Sequence, residues 1–150
     1  MHRRFFQTLL VLAIIFVASS YAAAHCEIPC GIYDDKMRIN MIAEHITTIE
    51  KSMKWILKLE SSKPLTHNQL VRWIMNKEDH ANELQEIVTQ YFMTQRIKVG
   101  TENYTKKLTL LHKMLINAMK CKQTTDLTYI STLRSILGEF KDLYFSDGHK

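Results

Sequence analysis

One short stretch of this 150-residue chain combines residue types that could bind a transition metal. It reads HCEIPCGIYD over residues 25–34, with two cysteines, Cys26 and Cys30, and with His25 directly before the first of them. Thiolate and imidazole are ligands that proteins use for copper, zinc and nickel. A proline before the second cysteine and a glycine after it favour a turn that brings the two thiols together. This stretch is therefore the candidate site.

The donor set becomes more specific if His25 is the first residue of the mature chain. Its α-amine, whose pKa is about 8, then readily yields a neutral nitrogen donor. This amine, the backbone nitrogen of Cys26 and the Cys26 thiolate form two adjacent five-membered chelate rings, and the Cys30 thiolate completes a plane. Ni(II) and Cu(II) prefer a planar arrangement of this kind, whereas zinc prefers a tetrahedral one. The His25 imidazole can reach an axial position.

The same cysteines also allow simpler interpretations. In an oxidising compartment, Cys26 and Cys30 could form a short disulfide with a purely structural role. A Cys-x-x-x-Cys pair could also bind copper, as it does in copper-delivery proteins, without any catalysis. The residue types and their spacing leave these alternatives open.

The first 24 residues predict that His25 does become an N-terminus. A basic start at residues 2–4, an apolar run over 9–18 and three alanines at 22–24 are typical of a secretory signal peptide. A retained membrane anchor is the alternative, but the apolar run is only half of the roughly 20 residues that span a bilayer. We expect residues 1–24 to be removed, a periplasmic or secreted mature protein, and no membrane association after cleavage.

Composition excludes several fold and function classes. The chain has only four Gly and two Pro, too few for the frequent turns of a β-sandwich, and it has no Gly-rich phosphate-binding motif. Removing the leader lowers the basic count from 20 to 18 against 15 acidic residues, so the net charge falls from +5 to +3. No basic cluster with interleaved aromatic residues remains, and we expect no nucleic-acid partner.

Apolar residues at spacings of three and four predict four helices that must position the site. The first covers about residues 34–60, and its inward-facing side chains are predicted to be Ile42, Ile46, Ile49, Met53 and Ile56. The second begins at a capping box, Thr66 to Gln69, and runs to about Ile97. Its inward-facing residues are predicted to be Leu70, Ile74, Ala81, Leu84, Val88 and either Tyr91 or Phe92.

The last two helices show the same periodicity. Inward-facing residues of the third are predicted to be Leu108, Leu111, Leu115 and Met119. Those of the fourth, after Asp126, are predicted to be Leu127, Ile130, Leu133, Leu137, Phe140 and Tyr144. Because short connections favour antiparallel neighbours, we expect an all-α fold, an antiparallel up-down four-helix bundle over residues 34–150.

The bundle itself shows no metal-binding pattern. The Glu-x-x-His motif of di-iron bundles is absent, as is His-x-x-x-His. Four scattered histidines are predicted to be surface or capping residues: His45, His67, His112 and His149. Cys121 is predicted to be a packed thiol. Chemistry is therefore assigned to the segment between leader and bundle, residues 25–33, which we call the hook.

The hook resembles the nickel-binding hook of nickel-containing superoxide dismutases, which has the pattern His-Cys-x-x-Pro-Cys-Gly-x-Tyr-Asp at the mature N-terminus. Every specified residue of that pattern is present: His25, Cys26, Pro29, Cys30, Gly31, Tyr33 and Asp34. The resemblance implies a four-helix-bundle oxidoreductase that converts superoxide to O2 and hydrogen peroxide by Ni(II)/Ni(III) cycling. It also implies one nickel per subunit and a homohexamer. The alternative function is an extracytoplasmic protein that binds or delivers copper or nickel without turnover.

The resemblance also implies roles for individual residues. His25, through its amine and imidazole, Cys26, through its amide nitrogen and thiolate, and the Cys30 thiolate become the nickel ligands. Tyr33 is expected near the open face of the metal, where it positions superoxide and orders water. Tyr33 and His25 are therefore the expected catalytic residues, and Tyr91 is expected to correspond to a supporting tyrosine of the family.

One feature of the family pattern is missing from this chain. Well-known members hold the axial imidazole with a glutamate in the first helix and an arginine in the second. At the corresponding places this chain has Asn40 or Met41, and His80. The sequence therefore predicts the ligands without predicting how the His25 imidazole is held.

Overall fold

The computed structural model describes residues 2–18 and 27–146. The chain divides into two compact units, Met1–Cys30 and Gly31–Lys150. This boundary falls inside the predicted hook, and the division into leader, hook and bundle remains a prediction. Described in the first unit are helix α1, His2–Ala18, and a turn over residues 27–30. Over the described residues, no helix combines the length and apolar character needed to cross a membrane.

The second unit is built from four helical rods, and no strand occurs among its described residues. Helix α2 is Asp35–Glu60, α3 is His67–Glu86, α4 is Tyr104–Gln123 and α5 is Thr128–Ser146. Helix α2 packs against α3 and α5, and α4 packs against the same two helices. Four helices joined in this closed order by short connections form a four-helix bundle. The fold prediction is confirmed.

The apolar seams predicted for α2 and α5 are confirmed, with one half-buried residue in the second. All five inward-facing residues predicted for α2 are buried. In α5 the buried residues include Ile130, Leu133, Leu137, Phe140 and Tyr144, while Leu127, just before the helix, is half-buried. The rings of Phe92, Phe140 and Tyr144 meet at centroid distances of 5.2 to 5.5 Å and fill the centre of the bundle.

Two seams differ from the prediction because polar side chains are buried. In α4 the buried face is shifted by one residue toward the N-terminus relative to the prediction. Leu108, Leu115 and Met119 are therefore only half-buried. The fully buried residues are Lys107, Leu110, Leu111, Met114, Ala118 and Cys121. Lys107 turns inward because its ammonium donates a hydrogen bond to the Glu102 carbonyl at 3.0 Å.

The first half of α3 also differs from its prediction. Leu70 is half-buried and Ile74 is exposed, because the side facing α2 is formed by polar and aromatic pairs instead. Asn76 donates a hydrogen bond to Ser52 at 2.9 Å, and Trp73 stacks on Trp55 at 5.6 Å. Helix α3 does begin after residue 66, but the predicted capping box is wrong: the Thr66 side chain makes no cap hydrogen bond.

The rod that begins with α3 continues as a ten-residue π-helical segment, Ile87–Arg96. A π-helix bonds each amide to the carbonyl five residues earlier, as the Ile97 amide does with Phe92 at 2.9 Å. This wider turn places Tyr91 and Phe92 both inside the bundle, whereas regular α-helical periodicity predicts only one of them. It also brings residues five apart, such as Tyr91 and Arg96, to the same side.

Candidate metal centre

The described part of the hook begins with a tight turn. The Cys30 amide donates a hydrogen bond to the Glu27 carbonyl at 2.9 Å, across a cis peptide bond before Pro29. Cys30 is exposed. Gly31 follows with φ of +81°, a left-handed conformation that favours glycine. The turn therefore presents the Cys30 side chain at the surface, as a metal ligand requires.

The other two predicted ligands, His25 and Cys26, lie outside the described residues. Their assignment as ligands remains a prediction from the sequence. Within residues 2–18 and 27–146, no group of three or more His, Cys, Asp or Glu side chains is arranged to hold a metal ion. The described bundle thus offers no cluster of donors that competes with the hook.

After the turn, Asp34 fixes where the first bundle helix begins. Its carboxylate accepts a hydrogen bond from the Met37 amide at 2.8 Å, which is a typical N-cap. The cap satisfies an amide that has no partner within the helix. The last two residues of the family pattern therefore have different tasks: Asp34 starts helix α2, and Tyr33 stands immediately before it.

The Tyr33 ring rests on the end of the bundle. The Arg96 guanidinium lies over its face, 4.3 Å from the ring centre, and Tyr91 meets it edge-on at 5.9 Å. The side chain remains 38% exposed. Its position thus depends on an aromatic and a cationic contact, and part of the phenol stays open to solvent, as a role toward a diffusing substrate requires.

Beneath Tyr33 lies a fully buried carboxylate, Asp35, which accepts four hydrogen bonds. Arg96 donates two of them, from Nε at 2.8 Å and from Nη2 at 2.7 Å. The Tyr91 and Tyr144 hydroxyls donate the others, at 2.6 and 2.9 Å. We call these four residues the Asp35 cluster. It joins the start of α2, the π-helical segment and the end of α5.

The Asp35 cluster holds a charge inside the protein. Burial by itself raises the pKa of Asp35, but the hydrogen bonds from Arg96, Tyr91 and Tyr144 outweigh burial and keep the pKa below its usual value. Burial and the neighbouring carboxylate raise the pKa of both Tyr91 and Tyr144. The cluster therefore stays an ionised carboxylate with two neutral phenols over the ordinary pH range.

Sequence reasoning singled out Tyr33 and Tyr91 but missed Asp35, Arg96 and Tyr144. Arg96 is 61 residues from Asp35 and Tyr144 is 109 residues away, so no local motif contains them. The one available signal is that Asp35 lies four residues before Ile39 and so falls on the apolar side of α2. Tyr144 was predicted to face inward from its periodicity alone, without a polar partner.

The residues in place of the family's glutamate and arginine are not brought together. Asn40 is exposed, and the Met41 sulfur lies 3.9 Å from an Arg38 nitrogen. His80 instead faces His45, with 2.8 Å between the two Nδ1 atoms. The structure thus shows no pair of Asn40 or Met41 with His80.

The sequence predicts surface or capping positions for the remaining histidines and a packed thiol for Cys121. The surface or capping position predicted for His45 is wrong, since this residue is half-buried against His80. His67 and His112 are exposed as predicted, and His149 lies outside the described residues. Cys121 is buried, and burial raises the pKa of its thiol to about 11, which confirms a packed thiol rather than a reactive one.

The second unit is thus a small helical protein domain of the four-helix-bundle class, and an exposed cysteine turn precedes it in the sequence. The family model of nickel-containing superoxide dismutase matches residues 20–148, more than four fifths of the chain, and this range includes the whole hook. The chain belongs to the nickel-containing superoxide dismutase family. No curated protein and no solved structure matches it significantly.

Family membership establishes the chemistry in outline. The protein is an oxidoreductase that requires nickel and acts on superoxide. The residue types of the hook fit that metal: an exposed cysteine on a turn, with a second cysteine and a histidine close by in the sequence, would supply the sulfur and nitrogen donors that nickel accepts.

Proposed function

We propose that the chain is a periplasmic or secreted nickel superoxide dismutase that holds one nickel ion per subunit in the hook, residues 25–33. The observation that carries this proposal is the geometry at the start of the bundle. Cys30 is exposed on a hydrogen-bonded turn, and three residues later in the sequence Tyr33 stacks against Arg96. Cys30 and Tyr33 thus have the exposure that their proposed roles need.

In this proposal the ligands are the His25 amine and imidazole, the Cys26 amide nitrogen and thiolate, and the Cys30 thiolate. When bound, nickel supplies the one-electron couple between Ni(II) and Ni(III) that superoxide dismutation requires. Thiolate and ionised amide donate electron density strongly, and so they lower the potential of that couple into the useful range. The hook residues therefore both hold the metal and adjust its reactivity.

The task assigned to Tyr33 is to receive the substrate. Its hydroxyl can donate a hydrogen bond to the superoxide anion or to an ordered water molecule. Because the ring is held on one face by Arg96 and the side chain is 38% exposed, the phenol can meet solvent without leaving its position. Tyr33 thus orients the anion and can hold a proton at its Oη for the peroxide product.

Cleavage before His25 is part of the proposal because the α-amine exists only then. Two observations support it: residues 1–24 have the signal-peptide pattern, and the family match begins at residue 20, so most of this leader lies outside the match. Cleavage there would leave a mature chain of 150 − 24 = 126 residues.

A homohexamer is proposed from the family resemblance. Apolar side chains exposed on α3, among them Val71 and Met75, supply surface that a neighbouring subunit could cover. The alternative of a non-catalytic copper or nickel carrier finds no support in the family match. Light scattering coupled to size exclusion, on protein beginning at His25, measures the subunit number directly.

The proposal is tested by adding one residue. We compare protein that begins at His25 with protein that carries a single extra alanine before it. The extension keeps every side chain but turns the α-amine into a peptide nitrogen, so we expect nickel retention and superoxide turnover to be lost while the circular dichroism spectrum is unchanged. Equal nickel content and equal turnover in the two proteins would contradict an N-terminal amine ligand.

A further inference from the structure

We propose that Arg96 is the positioning residue for Tyr33: held by the buried Asp35, its guanidinium fixes the Tyr33 ring at the start of α2. The inference deepens the proposed function and rests on it, because positioning matters only if Tyr33 meets the substrate. It assigns a task to two residues that the family pattern of the hook does not contain.

Tyr33 needs such a support because of its place in the chain. It precedes the N-cap residue Asp34 and so lies outside helix α2, without the helical hydrogen bonds that hold the residues after it. In the described part of the chain, its ring contacts are the Arg96 guanidinium at 4.3 Å and the Tyr91 edge at 5.9 Å. A single-bond rotation would otherwise carry a half-exposed phenol away from the bundle.

Arg96 is suited to this support because it is itself held rigidly. Two parallel hydrogen bonds to the Asp35 carboxylate fix the plane of the guanidinium. Asp35 is fixed in turn by the Tyr91 and Tyr144 hydroxyls. A planar cation can bond a carboxylate along its edge while it stacks on an aromatic ring with its face, which a lysine ammonium cannot do.

The π-helical segment makes this arrangement possible. Tyr91 and Arg96 are five residues apart, and both bond the same carboxylate. In a regular α-helix, residues five apart point to different sides, whereas the π-helical turn brings them to one side. The segment thus directs two groups toward Asp35 and, through them, toward Tyr33. Irregular helical turns of this kind are frequent at functional sites.

The first test measures the Tyr33 side chain in metal-free protein. Nitration of Tyr33 by tetranitromethane, located by peptide mass, reports how freely the ring moves and is exposed. We expect Arg96→Lys to raise the nitration rate of Tyr33 by about two- to fivefold. Loss of one exposed cation–π contact changes an equilibrium by about this factor. An unchanged rate would overturn the proposal.

A second variant keeps the test valid if single changes in the cluster prevent folding. Arg96→Gln combined with Asp35→Asn removes both charges together, so no unpaired carboxylate is left buried. It is expected to be folded by circular dichroism and to show the same faster nitration. Arg134→Gln is the matched control, because Arg134 also pairs with a carboxylate, Glu50 at 2.7 Å, but on the exposed surface. It should leave Tyr33 unchanged.

The second test separates positioning from a merely structural role by a double-mutant cycle in nickel-loaded enzyme. If Arg96 acts through Tyr33, adding Arg96→Lys to Tyr33→Ala lowers turnover no further than Tyr33→Ala does alone. Additive losses would show that Arg96 acts elsewhere and would overturn the proposal. Wild-type turnover in Tyr33→Ala would instead contradict the role of Tyr33 in the proposed function, and this outcome is distinct from both.

Discussion

The hook and the bundle use their residues in opposite ways. From Glu27 to Asp34 no side chain is fully buried, whereas the bundle has a continuous core from Ile39 to Tyr144. Thiol chemistry needs exposure and backbone turns, while stability needs burial and regular helices. If the hook holds the metal as proposed, metal binding and folding depend on separate residues and can be changed separately.

The two parts meet in sequence at residues 33–35, where each residue has one task. Tyr33 is half-exposed against Arg96, Asp34 caps helix α2, and Asp35 is buried in its cluster. These three consecutive residues thus lie at the exposed surface, at the start of α2 and in the interior of the bundle.

The hook cysteines should be essential for chemistry and irrelevant to folding. We expect Cys26→Ser and Cys30→Ser each to reduce nickel retention and superoxide turnover to the level of metal-free protein, because a serine hydroxyl is a poor donor to this metal. The helical core does not include them, so the circular dichroism spectrum and melting temperature should be retained. Metal analysis and turnover on the same samples decide this. Full activity in either variant would rule out a thiolate-ligated site.

His25 should separate binding from turnover. His25→Ala keeps an α-amine, the next amide nitrogen and both thiolates, so we expect it to retain nickel when it is cleaved correctly. It lacks the imidazole that favours the oxidised metal, and most of the turnover should be lost. Electron paramagnetic resonance should also lose the coupling to an axial nitrogen. Unchanged turnover with an unchanged spectrum would show that this imidazole is not a ligand.

The third cysteine should affect stability and leave metal binding unchanged. Cys121 is fully buried in α4, so Cys121→Ala removes core volume without touching the hook. We expect the free energy of unfolding to fall by about 1–2 kcal/mol, with nickel content per folded subunit unchanged. Urea denaturation of metal-free protein measures the first and metal analysis the second. Loss of nickel in this variant would show that the bundle contributes a ligand.

The smallest effect is expected from His45, whose buried Nε2 has no hydrogen-bond partner among the described residues. Burial and the neighbouring His80 lower the pKa of His45, with Glu83 and Glu44 partly opposing them. The unfolded chain therefore binds this proton more readily, so stability is complete above about pH 6.5 and declines as the pH falls toward the lowered value. Replacing His45 with Gln should flatten the melting temperature between pH 7.5 and 5. An equally steep profile in the variant would assign this dependence to other groups.

Two polar sites inside the bundle differ in whether their polar atoms are hydrogen-bonded. In the Asp35 cluster every charged group has a partner, whereas the buried Nε2 of His45 finds none among the described residues. A polar cluster whose hydrogen bonds are all made is rigid. The unpaired ring nitrogen of His45 can instead take up a proton as the pH falls. This difference is why the first is assigned to positioning and the second only to pH dependence.

Sequence reasoning predicted the fold well where burial follows hydrophobicity. The α2 seam from Ile42 to Ile56 and the α5 seam through Phe140 are both buried as predicted. It failed at α4 and at the start of α3, because Lys107, Lys77 and the Trp73–Trp55 pair occupy interface positions that apolar periodicity assigns to leucine and isoleucine. Apolar periodicity does not reveal a long polar side chain whose aliphatic part is buried and whose polar end is hydrogen-bonded.

The ligands of the candidate site stay a prediction from the sequence, whereas the residues that support Tyr33 could not be predicted from it. A local motif spans the ligands, from His25 to Cys30, and its match to the family includes them. The support is non-local: Asp35 and Arg96 meet only because the bundle brings α2 beside the π-helical segment. The departure from α-helical periodicity between Ile87 and Arg96 has no signal in residue spacing, and it is what turns Arg96 toward Asp35.

The central claim is that nickel is held by the N-terminus created at His25. The most direct measurement expresses the full chain in a secreting host with nickel, isolates the fraction that carries both nickel and superoxide turnover, and determines its first residue by intact mass and N-terminal sequencing. We expect a single species that begins at His25 and contains one nickel per subunit. An active, nickel-containing species that begins before or after His25 would contradict it.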